Sequence, residues 1–127
     1  DLGFHNTLRE KSGTLRIIDL EYFGWDDPVK LTSDFCWHPG MTLNQQTRDE
    51  WIRAVIQIFA RDRSFTARLR AAYPLYGLRW AMIVLNSFLT NQSNNSVSTK
   101  MLRTQLEKSI NLCRKAALLI EDERYSF

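Results

Sequence analysis

The sequence has little of what metal and redox chemistry require. It contains two cysteines, Cys36 and Cys113, and two histidines, His5 and His38, with no zinc-ligand spacing among them. Two distant cysteines suit free thiols in a reduced, cytoplasmic setting. Glycine is scarce as well. Gly3, Gly13, Gly24, Gly40 and Gly77 are scattered, with no G-x-G, which excludes a glycine-rich phosphate loop. Long apolar runs are missing. The most apolar stretch, "PLYGLRWAMIVLNSFL", is too short for a bilayer and carries Arg79 and Asn86, so it reads as a buried core helix. No signal-peptide pattern is present. A large charge of one sign is also missing: the net charge is +3. Arg61, Arg63, Arg68, Arg70, Arg79, Lys100, Arg103, Lys108, Arg114 and Lys115 are spread over the second half. They read as solvated helix faces, and no nucleic-acid footprint of clustered cations with interleaved aromatics is visible.

What is present suits one folded domain. The 127 residues are enough for one compact core and too few for two. With 44% hydrophobic and 24% charged residues, the chain falls outside the disordered class. "NTLRE" and "GTLRIIDL" flank "KSG", which predicts a β-hairpin pairing Thr7–Glu10 with Thr14–Ile18. Pro28 predicts a helix start with Asp26 or Asp27 as N-cap, ending near Trp37 before "HPG". A second helix starts at Asn44 or Thr47, places Trp51, Val55, Ile58 and Phe59 on one face, and ends near Asp62. Ser64 is expected to cap a short third helix, "FTARLRAAY", that breaks before Pro74. The apolar helix follows, with Leu78, Met82, Leu85 and Leu89 in one stripe beside Ala81, Val84 and Phe88. "TNQSNNSVS" is a loop, and its sequons at Asn91 and Asn94 read as chance matches. A last helix over about Thr99–Glu121 carries Leu102, Leu106, Ile110, Cys113, Ala117 and Ile120 at steps of three and four. The fold class is mainly α with a small β-hairpin: residues 1–25 form the loop and hairpin, and 26–127 a helical bundle.

The opening stretch has a pattern with a mechanical logic. Asp1-Leu2-Gly3-Phe4-His5-Asn6 matches D-L-x-x-x-N, the core of the protein-kinase catalytic loop; a hairpin follows, and Asp19 stands at its exit. Phosphoryl transfer needs an alcohol held in line and neutralised phosphate charge, with little covalent help. An aspartate can accept the hydroxyl proton. An asparagine and a second aspartate offer Mg²⁺ the hard oxygen ligands it prefers. The hairpin acts as the spacer that brings Asn6 and Asp19 to one metal site. Each element alone is a weak signal, and the three together are a strong one.

"DLGFHNTL" with "LRIIDLEYFGWDDP" resembles the aminoglycoside phosphotransferase and choline kinase-like family of small-molecule kinases, whose members carry an H-G-D-x-x-x-x-N loop and an I-D-F-E-type strand end. "IDLEY" is close to the "IDFEY" of choline kinase-like members. The resemblance covers about the first 40 residues. It implies the C-terminal lobe of a protein kinase-like fold, an ATP-dependent phosphotransferase acting on a small-molecule hydroxyl, and Mg²⁺ with ATP. It implies Asp1 as catalytic base and Asn6 and Asp19 as metal ligands. Glu21 matches an acidic position beside the metal aspartate. The family's G-D-P-x-x-D-L-A pattern is altered here to Asp26-Asp27-Pro28 with Asp34 further on, so Asp27 and Asp34 are expected to cap and anchor the first helix.

A kinase also needs an N-terminal lobe with a glycine-rich loop, a strand lysine and an adenine hinge. None of these precedes Asp1, nor does the His-Gly of the loop. The expectation is a C-lobe fragment, inactive alone, with apolar surface around Leu2, Phe4 and Leu20 that could drive self-association. Tyr22 and Trp25, with the acids Glu21, Asp26, Asp27 and Asp34, suit a cationic alcohol as acceptor through cation–π and charge contacts. Trp37, Trp51 and Trp80 are read as core. Two other classes stay open: a non-catalytic, pseudokinase-like binding or scaffold module, and an unrelated helical interaction domain.

Overall fold

The structure, a computed structural model, describes residues 2–21, 24–89 and 98–122. Asp1, Tyr22 and the sequons at Asn91 and Asn94 lie outside the described residues. The hairpin forms where the sequence predicts it. A 3₁₀ turn, Phe4–Asn6, leads into β1 (Thr7–Arg9), which pairs antiparallel with β2 (Leu15–Ile17). Thr7 faces Ile17 and Arg9 faces Leu15. Gly13 closes the turn at φ 89°, left-handed backbone that glycine adopts without strain. The Gly13 amide donates to Glu10 O at 2.9 Å and the Glu10 amide to Thr14 O at 2.9 Å.

Four helices follow: α1 (Pro28–Trp37), α2 (Gln45–Ile58), α3 (Phe65–Val84) and α4 (Thr99–Glu121). Residues 86–89 are helical again after α3. Two starts carry the expected chemistry: Asp27 accepts from the Val29 amide at 2.9 Å with Pro28 in the first turn, and Asn44 accepts from Thr47 at 2.8 Å. A third cap, not among the expectations, is Ser98, which accepts from Met101 at 3.3 Å. No described helix is long and apolar enough to cross a membrane.

Helix α3 is the centre, with α1 packed on one side and α4 on another. Phe65 and Leu69 are fully buried, and Val29, Cys36, Trp37, Ile52, Val55, Tyr73, Trp80 and Ala116 complete the main core. A smaller cluster of Phe35, Met41 and Leu43 sits under the opening loop, with Leu2 and Trp51 against it.

Several sequence expectations are corrected. Pro74 does not break a helix: α3 runs 20 residues straight through it. Proline in a helix interior forfeits one backbone bond and crowds the preceding turn. Here Tyr73, Pro74 and Gly77 are all buried on that segment, and packing outweighs the local penalty. Ser64 stands at the α3 start without capping it; Asp62 instead accepts from the Ser64 amide at 3.0 Å and its hydroxyl at 2.7 Å. Helix α2 ends at Ile58, short of Asp62, and Ile58 is exposed.

The stripes are also turned. On α3 the buried face is Leu69, Tyr73, Gly77, Trp80, Ala81 and Val84, while Met82 and Leu89 of the expected stripe are exposed. On α4, Ser109 and Ala116 are buried, with Leu102, Leu112 and Leu119 half-buried beside them. Leu106, Ile110, Cys113, Ala117 and Ile120 face outward. The small residues decide it. Helix spacing depends on the side chains at the contact, and a seam of Ser109 and Ala116 lets α4 approach closely.

Candidate functional site

The opening loop is seated on the end of α1. The Phe4 amide lies 3.4 Å from Met41 Sδ, and its ring meets Phe35 edge-on at 5.8 Å. His5 stacks on His38 at 4.5 Å with 19° between the rings, and His38 meets Trp80 edge-on at 4.6 Å. Thr7 Oγ1 donates to Gly3 O at 2.8 Å and the Asn6 amide to Gly3 O at 3.1 Å, which closes the turn ahead of β1.

The hairpin register brings the two expected metal ligands to one end. Ile18 N donates to Asn6 O at 2.9 Å, one step beyond the Thr7–Ile17 pair. Asp19 follows at once, at φ 60°. It is the sole non-glycine residue with positive φ among those described. Aspartate is several-fold enriched there because its short polar side chain can bond locally, yet the conformation costs on the order of 1–2 kcal/mol. Such outliers persist where surrounding structure holds them, commonly at functional sites. Among the described residues no three His, Cys, Asp or Glu side chains gather as a metal cage. Mg²⁺ seldom uses one: it takes one or two protein oxygens and fills its octahedron with phosphate and water. Asn6 and Asp19 fit that donor set. Asp1, expected as base, lies outside the described residues.

The acidic run is largely spoken for. Asp34 is buried between α1 and α3. It accepts from Arg79 Nη1 at 2.8 Å and Trp80 Nε1 at 2.8 Å, with Lys30 Nζ at 3.2 Å. Asp27 pairs with Arg68 at 3.1 Å, and Arg68 also holds Asp62 at 3.0 Å. The Arg68 hydrogen bond and the Val29 amide hold the Asp27 carboxyl below its usual range. Asp26 lies 3.5 Å from Lys30. Asp27 and Asp34 therefore cap and anchor α1, as the altered motif implied. Of the four acids offered to a cationic acceptor, Glu21 alone forms no ion pair among the described residues. Trp25 is fully exposed and so is no core residue, whereas Trp37 and Trp80 are buried and Trp51 is half-buried with Nε1 donating to Thr32 O at 3.2 Å. Tyr22 lies outside the described residues.

One feature escaped the sequence reading. A cleft of about 1120 Å³ opens between α2 and the C-terminal half of α4. Its signal was there: Lys108, Asn111 and Lys115 recur at helical spacing beside the seam that α4 buries. Compared with protein-family models, curated proteins and solved structures, the chain matches none.

Proposed function

We propose that the chain is the C-lobe half of an ATP-dependent phosphotransferase of the aminoglycoside phosphotransferase and choline kinase-like kind, acting on a small-molecule hydroxyl in the cytoplasm. Asp1 takes the proton of the attacking hydroxyl. Asn6 and Asp19 offer oxygens to Mg²⁺, which neutralises phosphate charge when bound. Trp25 and Glu21, with Tyr22, are the acceptor contacts that remain for a cationic alcohol.

The observation that carries this reading is the left-handed Asp19, one residue past the partner of Asn6. Residues held in sparsely populated backbone regions cluster at functional sites, and a metal ligand at the hairpin exit gives this one a purpose. The reading also requires a nucleotide-holding lobe, and the exposed apolar residues of the hairpin offer such a lobe a docking face.

The test is kinase activity of the complete protein with Mg²⁺ and ATP against a panel of amino alcohols. Asp1→Asn is expected to lower kcat by about 10²–10⁴-fold, the usual contribution of a positioned base. Asp19→Asn is expected to lower it at least as far and to weaken the Mg²⁺ dependence. Wild-type kcat in Asp19→Asn would sink the reading, as would turnover by residues 1–127 alone.

A further inference from the structure

The cleft between α2 and α4 is lined by cations that form no ion pair among the described residues. Arg48 and Arg53 stand on its α2 wall, Lys108 and Lys115 on its α4 wall. Among the described residues none of the four has a carboxylate within ion-pairing distance. Arg53 Nε meets only the Asp49 backbone oxygen, at 3.2 Å. The acids present are Asp49, whose carboxylate accepts from Gln45 at 2.8 Å, and Asp122. Among the described residues of the lining, four Lys and Arg side chains stand against two carboxylates, an excess of two positive charges.

Two residues of its lining also carry buried donors with no acceptor. Trp37 is buried, and its Nε1–H meets no acceptor among the described residues. Arg48 Nε is likewise buried without an acceptor. Buried donors are normally satisfied, and leaving one unmet is costly. Burial pushes the Cys36 thiol up to about 11; Tyr73 and Arg48 pull against that rise and the Asp49 charge adds to it. Tyr73, Ile52 and Leu112 supply apolar wall.

We infer that this cleft binds a phosphate monoester carried on an apolar or aromatic body, with Arg48 and Lys115 on the phosphate and the body against Trp37. A dianionic head matches the twofold charge excess, guanidinium is suited to phosphate oxygens, and an apolar body suits the walls. The inference goes beyond phosphoryl transfer at the hairpin and does not rest on it.

The test is calorimetric titration of the 127-residue chain with phenyl phosphate, benzoate and the neutral benzyl alcohol, each at low and high salt. Phenyl phosphate is expected to bind tightest and to weaken as salt rises. The Arg48→Gln/Lys115→Gln variant is expected to lose about tenfold or more in affinity. Both side chains sit outside the main core, and far-UV circular dichroism checks that the variant folds. The Trp37 indole N–H resonance should shift on saturation in the wild type, because the ring of the ligand lies against it. Equal affinity for benzyl alcohol, or an unchanged Kd in the variant, would overturn the site. Benzoate binding as tightly as phenyl phosphate would overturn the dianion assignment, and a stationary Trp37 resonance the placement of the ligand.

Discussion

His38 sits where the opening loop meets the bundle, stacked on His5 and edge-on to Trp80. Burial lowers its pKa first, the neighbouring His5 lowers it further, and the Asp34 charge pulls it back only in part. The folded protein thus binds this proton less readily than the unfolded chain. Above about pH 6.5 both forms are neutral and the stabilising difference is fully present. As pH falls below that value the unfolded chain takes the proton first. Stability then declines until the folded pKa is passed. Asp27 and Asp62 have depressed pKa values too, but their stabilisation is lost only below about pH 4, so the windows separate. Urea unfolding midpoints between pH 7.5 and 5 should fall in the wild type and fall less in His38→Gln. A flat wild-type profile, or the same slope in both proteins, would count against this account.

Helices α1 and α3 meet through Gly77, where an added Cβ would lie 2.8 Å from Trp37 Cη2 and 2.9 Å from Cζ2. Helix propensity favours alanine there by about 1 kcal/mol. Overpacking a rigid core costs about 1–3 kcal/mol. The second effect should win, because the Trp37 ring is also held by Tyr73 at 5.3 Å. Gly77→Ala is therefore expected to destabilise the protein by about 1–2 kcal/mol in urea unfolding, and Trp37→Phe in the same chain to cost less than it does alone. A more stable Gly77→Ala would refute the contact. The same helices show what is legible in a sequence. Caps are local chemistry, so Asp27 and Asn44 mark their helix starts. The hairpin is local too, and with it the Asn6–Asp19 juxtaposition. Pro74 and the stripe on α4 depend on a partner helix: α4 carries two overlapping apolar stripes, and only the α3 surface chooses between them. The cleft cations lie on α2 and α4, far apart in sequence, and tertiary packing alone brings them together.

The hairpin stands almost clear of the bundle. Leu15 and Ile17 lie on one of its faces, Leu8 on the other, and all three are more than half exposed. Phe4 and Leu20 extend this apolar surface at its base, whereas Leu2, expected to join them, is half-buried on the Phe35 cluster. A two-stranded hairpin is marginal on its own, and contiguous exposed apolar surface marks an interaction site. Among the described residues nothing covers it, and a second copy of the chain offers a matching apolar face. Sedimentation velocity should therefore show mass rising with concentration. Leu15→Lys/Ile17→Lys should remain monomeric, with an unchanged unfolding midpoint because neither residue packs on the core. Ile110→Lys, on the outward stripe of α4, separates the two apolar surfaces: it should associate like the wild type. If Ile110→Lys alone abolished association, the α4 stripe would be the sticky face and the hairpin would need no covering lobe. A monomeric wild type at high concentration would remove the need for either.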